Sequence, residues 1–412
     1  YGLPKIHKPT VPLRPITSCI NFPTYNLSKH LVKILSPLIT EKYTVKNSSV
    51  FSQQIRHRHI ADDEIMVSFD VVSLFTSIPI QLALQVIQRK LHQDTTLMRR
   101  TDISTTNVIK LLEFVLLNNF FTYKNEYYQQ ISGCAMGSPI SATVADIVME
   151  YVEETAISTA PHPPQWWFRY VDDSHACLKR NLVNEFHSHL NSIDPHLQFT
   201  IELEENQRLP FLDTITTRFN GRVTVDIYRK PTHTDKYLHY NSHHPVQHKL
   251  SVLNTLLDRA EKIPSTNRGT RRERKHIFKV LRDNGYPSKF IKNYDKKRKQ
   301  HHSVNTNTNS RSIDANDRAD PADHLASNFV ILPYIKGVTE KISRTLKKEN
   351  VRVCYKPTST LSQQFSKPKD KLPFEQTNGV VYKICCDDCD FVYYGQTDRA
   401  LITRIKEHKR AV

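Results

Sequence analysis

Residues 168–178 read FRYVDDSHACL. Aromatic and β-branched residues lead in, and Ala176, Cys177 and Leu178 follow, so the run predicts strand–turn–strand. Asp172 and Asp173 sit side by side in its middle. Adjacent carboxylates in a buried hairpin repel each other and lose hydration. Either the turn is solvated or a cation sits there. Asp70, in VSFDVVSLF, also ends an apolar, β-rich run. Carboxylates from neighbouring strands make sense together if they share divalent metal, and hard oxygen ligands suit Mg²⁺. Two such ions can clamp the attacking and leaving oxygens of an in-line phosphoryl displacement. The pattern alone has low specificity, because Asp pairs also build turns and caps.

Outward from this hairpin, residues 64–79 predict a buried strand ending in a turn. Residues 80–93 have helical spacing, with Leu82, Val86 and Ile87 on one face, and 106–120 predict a second helix. FTYKNEYYQQ reads as a hairpin, and GCAMGSPISATVADIVMEYVEET as a glycine-rich loop running into a long helix. NLVNEFHSHLNSI is a further helix, and 197–230 hold three or four short strands. Strands and helices mingle without a regular βαβ repeat, which predicts an α+β, palm-like sheet. Residues 231–300 read as helical and very basic, 301–328 as a polar linker, and 329–357 as strand–helix–strand. The last forty residues show a hairpin-then-helix pattern.

Fifty-eight Lys and Arg against 41 Asp and Glu give a net charge of +17, which implies a polyanionic partner, with nucleic acid leading. Mean hydropathy is −0.51 and no run of eighteen apolar residues occurs, so no transmembrane helix is expected. The 412-residue length suggests two to four domains. Four of the seven cysteines are scattered, which argues for a reduced, intracellular protein. The chain opens on YGLPKIHKP without Met, as a fragment would.

The order of the motifs is more specific than any one of them. YGLPKIHKP, VPLRPITS, SFDVVSLFTSIP, GCAMGSPISATVADIVMEY, WFRYVDDSHACL, RLPFLDT and YRKPTHTDKYLHYNSHHP together resemble the reverse transcriptases of Penelope-like retroelements, over nearly the whole chain. The resemblance implies a right-hand polymerase, with fingers and palm over 1–230 and a helical, helix-turn-helix-like thumb over 231–300. It implies RNA-directed DNA synthesis in the nucleus, using dNTPs, an RNA template, a DNA primer and the RNA–DNA duplex they form. Asp70 and Asp172 match the two metal aspartates for Mg²⁺ (or Mn²⁺), and Asp173 the adjacent supporting carboxylate. Val71 would offer only its backbone carbonyl. Phe75 matches the aromatic that excludes a 2′-hydroxyl. Gly137, Ser138 and Pro139 would contact template and nucleotide, and Tyr170 marks the hairpin as reverse-transcriptase-like. Lys5, Lys8 and Arg14 fall where fingers residues hold the triphosphate; a guanidinium grips phosphate in bidentate fashion, which favours Arg14. No lysine after the hairpin stands out as proton donor to the leaving pyrophosphate.

The end of the chain is different. NGVVYKICCDDCDFVYYGQTDRALITRIKEHKRAV resembles the start of a GIY-YIG endonuclease domain, over 373–412 after a strand–helix–strand connector at 329–372. Tyr382 falls in the first tripeptide, Tyr393 and Gly395 in the second. Arg404 and His408, four apart, share a helix face. The family's metal-binding Glu lies further on, so this nuclease is expected to be truncated and without strand cleavage. Cys386 and Cys389 have C-x-x-C spacing, and the resemblance implies a possible Zn²⁺ site with His408. Two rival readings remain: an inactive nucleic-acid-binding relic, and a viral RNA-dependent RNA polymerase, whose class usually carries Gly-Asp-Asp and lacks a gate like Phe75.

Overall fold

The computed structural model describes the chain except for residues 1, 5–10, 12, 21, 124–125, 306–327, 361–372, 387–388, 390 and 412. It divides into two compact units, Tyr1–Leu325 and Ala326–Val412.

The first unit opens with a ribbon of β1 (Gly2–Pro4) and β2 (Leu13–Pro15), followed by α1 (Tyr25–Leu35) and α2 (Ser48–Ile55). Then come β3 (Glu64–Val71), the single turn α3 (Leu74–Ser77), α4 (Ile80–Gln93) and α5 (Thr105–Leu117). Helix α4 has the predicted bounds; its core face is Ala83, Leu84, Val86, Ile87 and Leu91, with Leu82 at the margin. Helix α5 stops short of the predicted residue 120. Asn118 ends it by donating its side-chain amide to the Phe114 carbonyl, 2.8 Å away. A hairpin of β4 (Phe120–Tyr123) and β5 (Glu126–Gln129) leads to the long α6 (Ile140–Thr159). The quoted stretch forms β6 (Trp166–Tyr170) and β7 (Asp173–Lys179), and α7 (Val183–Ser192) follows. Strands β8 (Phe199–Leu203), β9 (Arg208–Phe211), β10 (Thr214–Phe219) and β11 (Arg222–Ile227) complete the β-structure of this unit.

The main sheet has the order β6-β7-β3-β8, all antiparallel. Its side chains alternate between two cores, as a pleated strand requires. Ile65, Val67 and Phe69 of β3 and Ala176 and Leu178 of β7 pack under the helices. Met66, Trp166, Phe168 and Cys177 point the other way, against Phe51 of α2 and Leu209, Phe211 and Val223 of the β9–β11 sheet. Asp70 and Asp173 belong to this second face but sit at the strand ends, where Asp70 remains exposed.

Three helices close the unit: α8 (Val246–Lys262), α9 (Asn267–Asp283) and α10 (Ser288–Asn305). The expectation of helix from 231 needs correction, because no helix begins before Val246. Pro231 and Pro245 disfavour helix before them. The strap between is instead pinned to α9: Tyr237 N–H donates to the Asn284 carboxamide, whose amide donates to the Asp235 carbonyl. Helix α10 runs to Asn305, so the expected linker at 301–328 loses its first five residues to helix. Most of the rest lies outside the described residues.

In the second unit, β12 (Asn328–Pro333), α11 (Thr339–Lys348) and β13 (Val351–Lys356) form the expected strand–helix–strand, with the two strands parallel. Antiparallel β14 (Val380–Cys385) and β15 (Val392–Thr397) precede α12 (Leu401–Ala411).

Candidate active site

The hairpin register places Tyr170 opposite Asp173, leaving Val171 and Asp172 as a two-residue turn. Asp173 is also paired with Asp70 across β3–β7. The Val71 N–H donates to the Asp172 carbonyl at 3.2 Å, which ties the turn to the end of β3. One oxygen from each of Asp70, Asp172 and Asp173 lies within 4.8 Å of the others. Among the described residues this is the only such trio of potential metal-holding side chains. Burial, then the charges of Asp172 and Asp70, push Asp173 up to about 6. Three oxygen donors gathered this closely suit a hard divalent cation. Lys230, just after β11, opposes that shift and so bears on the site. Nothing local in the sequence marks it, because it follows Asp173 by 57 positions with four strands between.

The turn is braced from below. Arg169 is fully buried, and its guanidinium donates to Glu153 and to Asp146, each at 2.9 Å. It also donates to the Val171 carbonyl at 3.3 Å and to the Thr44 hydroxyl at 3.1 Å. Trp167 donates its ring N–H to the other Glu153 oxygen. The residue held in this way, Val171, has φ of 58°, an αL conformation that β-branched side chains rarely adopt. Beneath it His175 is fully buried among Phe51, Phe211 and Trp166, and burial pushes its ring down to about 3, so it is neutral.

Phe75, on α3, is half-buried against the helical core. Its carbonyl accepts from Cys134 N–H at 2.6 Å, and Gly133 fits because a Cβ there would meet Phe75 O at 2.6 Å. Gly137 is required for a different close approach: a Cβ would meet Thr17 O at 2.1 Å. Ser138 is buried with its hydroxyl 3.5 Å from that of Ser28, and Pro139 caps α6. Tyr170 is 39% exposed. Arg14 is exposed on β2, and no ion pair ties it to the carboxylates. Lys5 and Lys8 lie outside the described residues.

Helices α8 and α9 are joined to the second sheet and the strap by charge. Arg229 pairs with Glu273 and lies 3.6 Å from Asp235; Arg259 pairs with Asp213, and Arg272 with Asp226 at 2.7 Å.

In the second unit, Tyr382 and Gly395 are cross-strand partners. The Tyr382 ring lies so close over Gly395 that a Cβ there would meet it at 2.4 Å. The Tyr382 hydroxyl is 2.7 Å from His408 Nε2 and accepts from Arg404 Nε at 2.9 Å. Tyr393 lies edge-on to His408. The four side chains line a cavity of about 880 Å³. A His408 ring nitrogen faces the Tyr382 hydroxyl, and among the described residues Cys386, Cys389 and His408 do not form a metal-holding trio.

Residues 236–296 match the animal helix-turn-helix domain family. No curated protein matches the sequence. Among solved structures, the chain is similar to Candida albicans telomerase in complex with a TWJ fragment of telomeric RNA (TM-score 0.46, 11% identity, 68% of this chain and 48% of that one). It is similar to apo telomerase from Candida tropicalis (0.40, 11%, 70% and 52%). It is also similar to the Sicinivirus 3Dpol RNA-dependent RNA polymerase (0.36, 11%, 60% and 52%). The chain spans about half the length of these proteins, and at such scores the likeness is partial. No described helix is long and apolar enough to cross a membrane.

Proposed function

We propose that this chain is an RNA-directed DNA polymerase of a Penelope-like retroelement, acting in the nucleus. The observation that carries the proposal is the convergence of Asp70, Asp172 and Asp173 at the open end of the sheet. Asp70 and Asp172 would hold two Mg²⁺ ions, or Mn²⁺, with Asp173 in support. Bound there, the ions would activate a primer 3′-hydroxyl and neutralise the leaving pyrophosphate. Phe75 favours dNTPs by excluding a 2′-hydroxyl. Lys230 lies close enough to act on Asp173 by charge, and is the candidate for the proton donor to the leaving pyrophosphate. The helix-turn-helix holds the template–primer duplex through phosphate contacts, without reading sequence. In the second unit, Arg404 would contact a phosphate and Tyr382 and Tyr393 would orient water as in GIY-YIG nucleases, without strand cleavage by this truncated domain.

Purified protein given a primed RNA template, dNTPs and Mg²⁺ should extend the primer. Asp172→Ala should abolish extension while oligonucleotide binding persists. Equal activity in that variant overturns the assignment. Binding without synthesis by the unmodified chain marks an inactive relic, and preference for rNTPs over dNTPs marks the viral polymerase class.

A further inference from the structure

The β12–β13 pair is half covered. Helix α11 packs on one face, beside Val330, Leu332, Val351, Val353 and Tyr355, all partly buried. The opposite face carries Phe329 beside Arg352, Ile331 beside Cys354, and Pro333 beside Lys356. All six are exposed; Phe329 is 67% and Ile331 58% exposed. Among the described residues, Arg352 and Lys356 have no ion-pair partner. Residues 328–356 hold seven Lys and Arg against two Glu, a net charge of +5 on 29 residues.

An apolar sheet face made to meet protein is depleted of lysine, since burying an unpaired ammonium is costly. Here one strand supplies an aromatic ring and an aliphatic side chain, and its neighbour supplies cations in register. Single-stranded nucleic acid has both complements: unstacked bases for a ring platform and a phosphate every nucleotide for the cations. We propose that this sheet face binds single-stranded nucleic acid, with Phe329 stacking on a base and Arg352 and Lys356 contacting the backbone. The site is independent of the carboxylates and of the helix-turn-helix.

Cys354 lies in the middle of the face and is exposed, so it reports occupancy directly. With the full chain, saturating single-stranded RNA should slow alkylation of Cys354, while exposed Cys385 and Cys389 react unchanged. RNA containing photoreactive thiouridine should cross-link to a peptide within 328–356. Phe329→Ala should remove the cross-link and weaken binding of a short single strand about fivefold or more. Phe329→Tyr should retain both. Replacing Arg352 and Lys356 by Ala should lower the slope of log affinity against log salt by about 1.4, at ~0.7 per phosphate. All three residues are exposed, so circular dichroism should show the variants folded. Unprotected Cys354 with no cross-link in this unit overturns the proposal. Concentration-dependent protection without RNA, lost in Phe329→Ala, overturns it in favour of a second copy of this chain.

Discussion

The carboxylate site of the first unit and the tyrosine site of the second are built in opposite ways. Asp70 and Asp173 stand on a four-stranded sheet with a packed core on each face. Arg169, Glu153 and Asp146 form an ionic lattice under the Val171–Asp172 turn that leads into Asp173. Tyr382 stands on a two-stranded hairpin, and its partners His408 and Arg404 come from one helix turned toward it. Tyr393 is 50% exposed. Two strands are marginal on their own, whereas a doubly covered sheet fixes its strand ends. The first site is therefore preorganised by burial, and the second by its own hydrogen bonds.

The largest test of this contrast is Arg169→Met. It leaves Glu153, fully buried, without its cation and cuts the tie to the Val171 carbonyl. Breaking one partner of a buried pair costs about 3–5 kcal/mol. Urea unfolding should show that loss in the first unit, together with loss of primer extension. Replacing Glu153 by Gln in the same chain should recover part of the stability, because no fully buried lone charge then remains and Asp146 is partly exposed. A loss under ~1 kcal/mol would mean that the lattice does not hold the turn.

Next in size is the pH dependence of Asp173. Its carboxyl is raised to about 6 in the folded chain by burial and by Asp172 and Asp70. An acid whose folded pKa exceeds its unfolded value favours folding at low pH, and that advantage is lost as pH rises through the folded pKa. In EDTA, stability should fall between about pH 4 and pH 6 by on the order of 2 kcal/mol through this group. Asp173→Asn should flatten that part of the profile, and Mg²⁺ should raise stability at pH 7 more in the unmodified chain than in the variant. Parallel profiles for the two proteins would refute the raised carboxyl.

How much of this was legible beforehand differs between the two layers of the first site. The strand of Asp70, the hairpin of Asp172 and Asp173, and helix α4 follow from apolar periodicity and turn chemistry, which are local signals. The lattice beneath is not local, because Arg169 reaches back 16 and 23 residues to Glu153 and Asp146. A trace was present: Asp146, Glu150 and Glu153 share one face of an otherwise apolar helix, and buried acids demand cations. Lys230 left no such trace, since its place depends on how the strap 228–245 is pinned to α9 by Arg229 and Asp235. The close approach of the Thr17 carbonyl to Gly137 was not legible either, because it joins residues 120 positions apart.

A smaller effect probes the second site. Tyr382→Phe removes the hydroxyl shared by His408 and Arg404. A hydrogen bond at a partly exposed site contributes about 1 kcal/mol. Amide exchange across 380–411 should quicken about fivefold, with the first unit unchanged. No change would mean that the hairpin is held by backbone pairing alone.

The smallest effect is the most local. Val171 adopts φ of 58° with its side chain 40% exposed, so it contributes little packing to offset the strain. For a residue bearing a Cβ, that conformation costs roughly 1–2 kcal/mol, least for Asn and none for Gly. Val171→Gly gives back part of the gain through the extra freedom of the unfolded chain, about 0.5–1 kcal/mol. Val171→Asn does not carry that penalty. Thermal unfolding should therefore rank Asn above Val at this position by up to about 1 kcal/mol, with Gly close to Val. If Asn were instead clearly destabilising, the turn would be held by contacts of the Val171 side chain. The strain would then belong to the carboxylate site only as geometry, and not as energy balanced by Arg169.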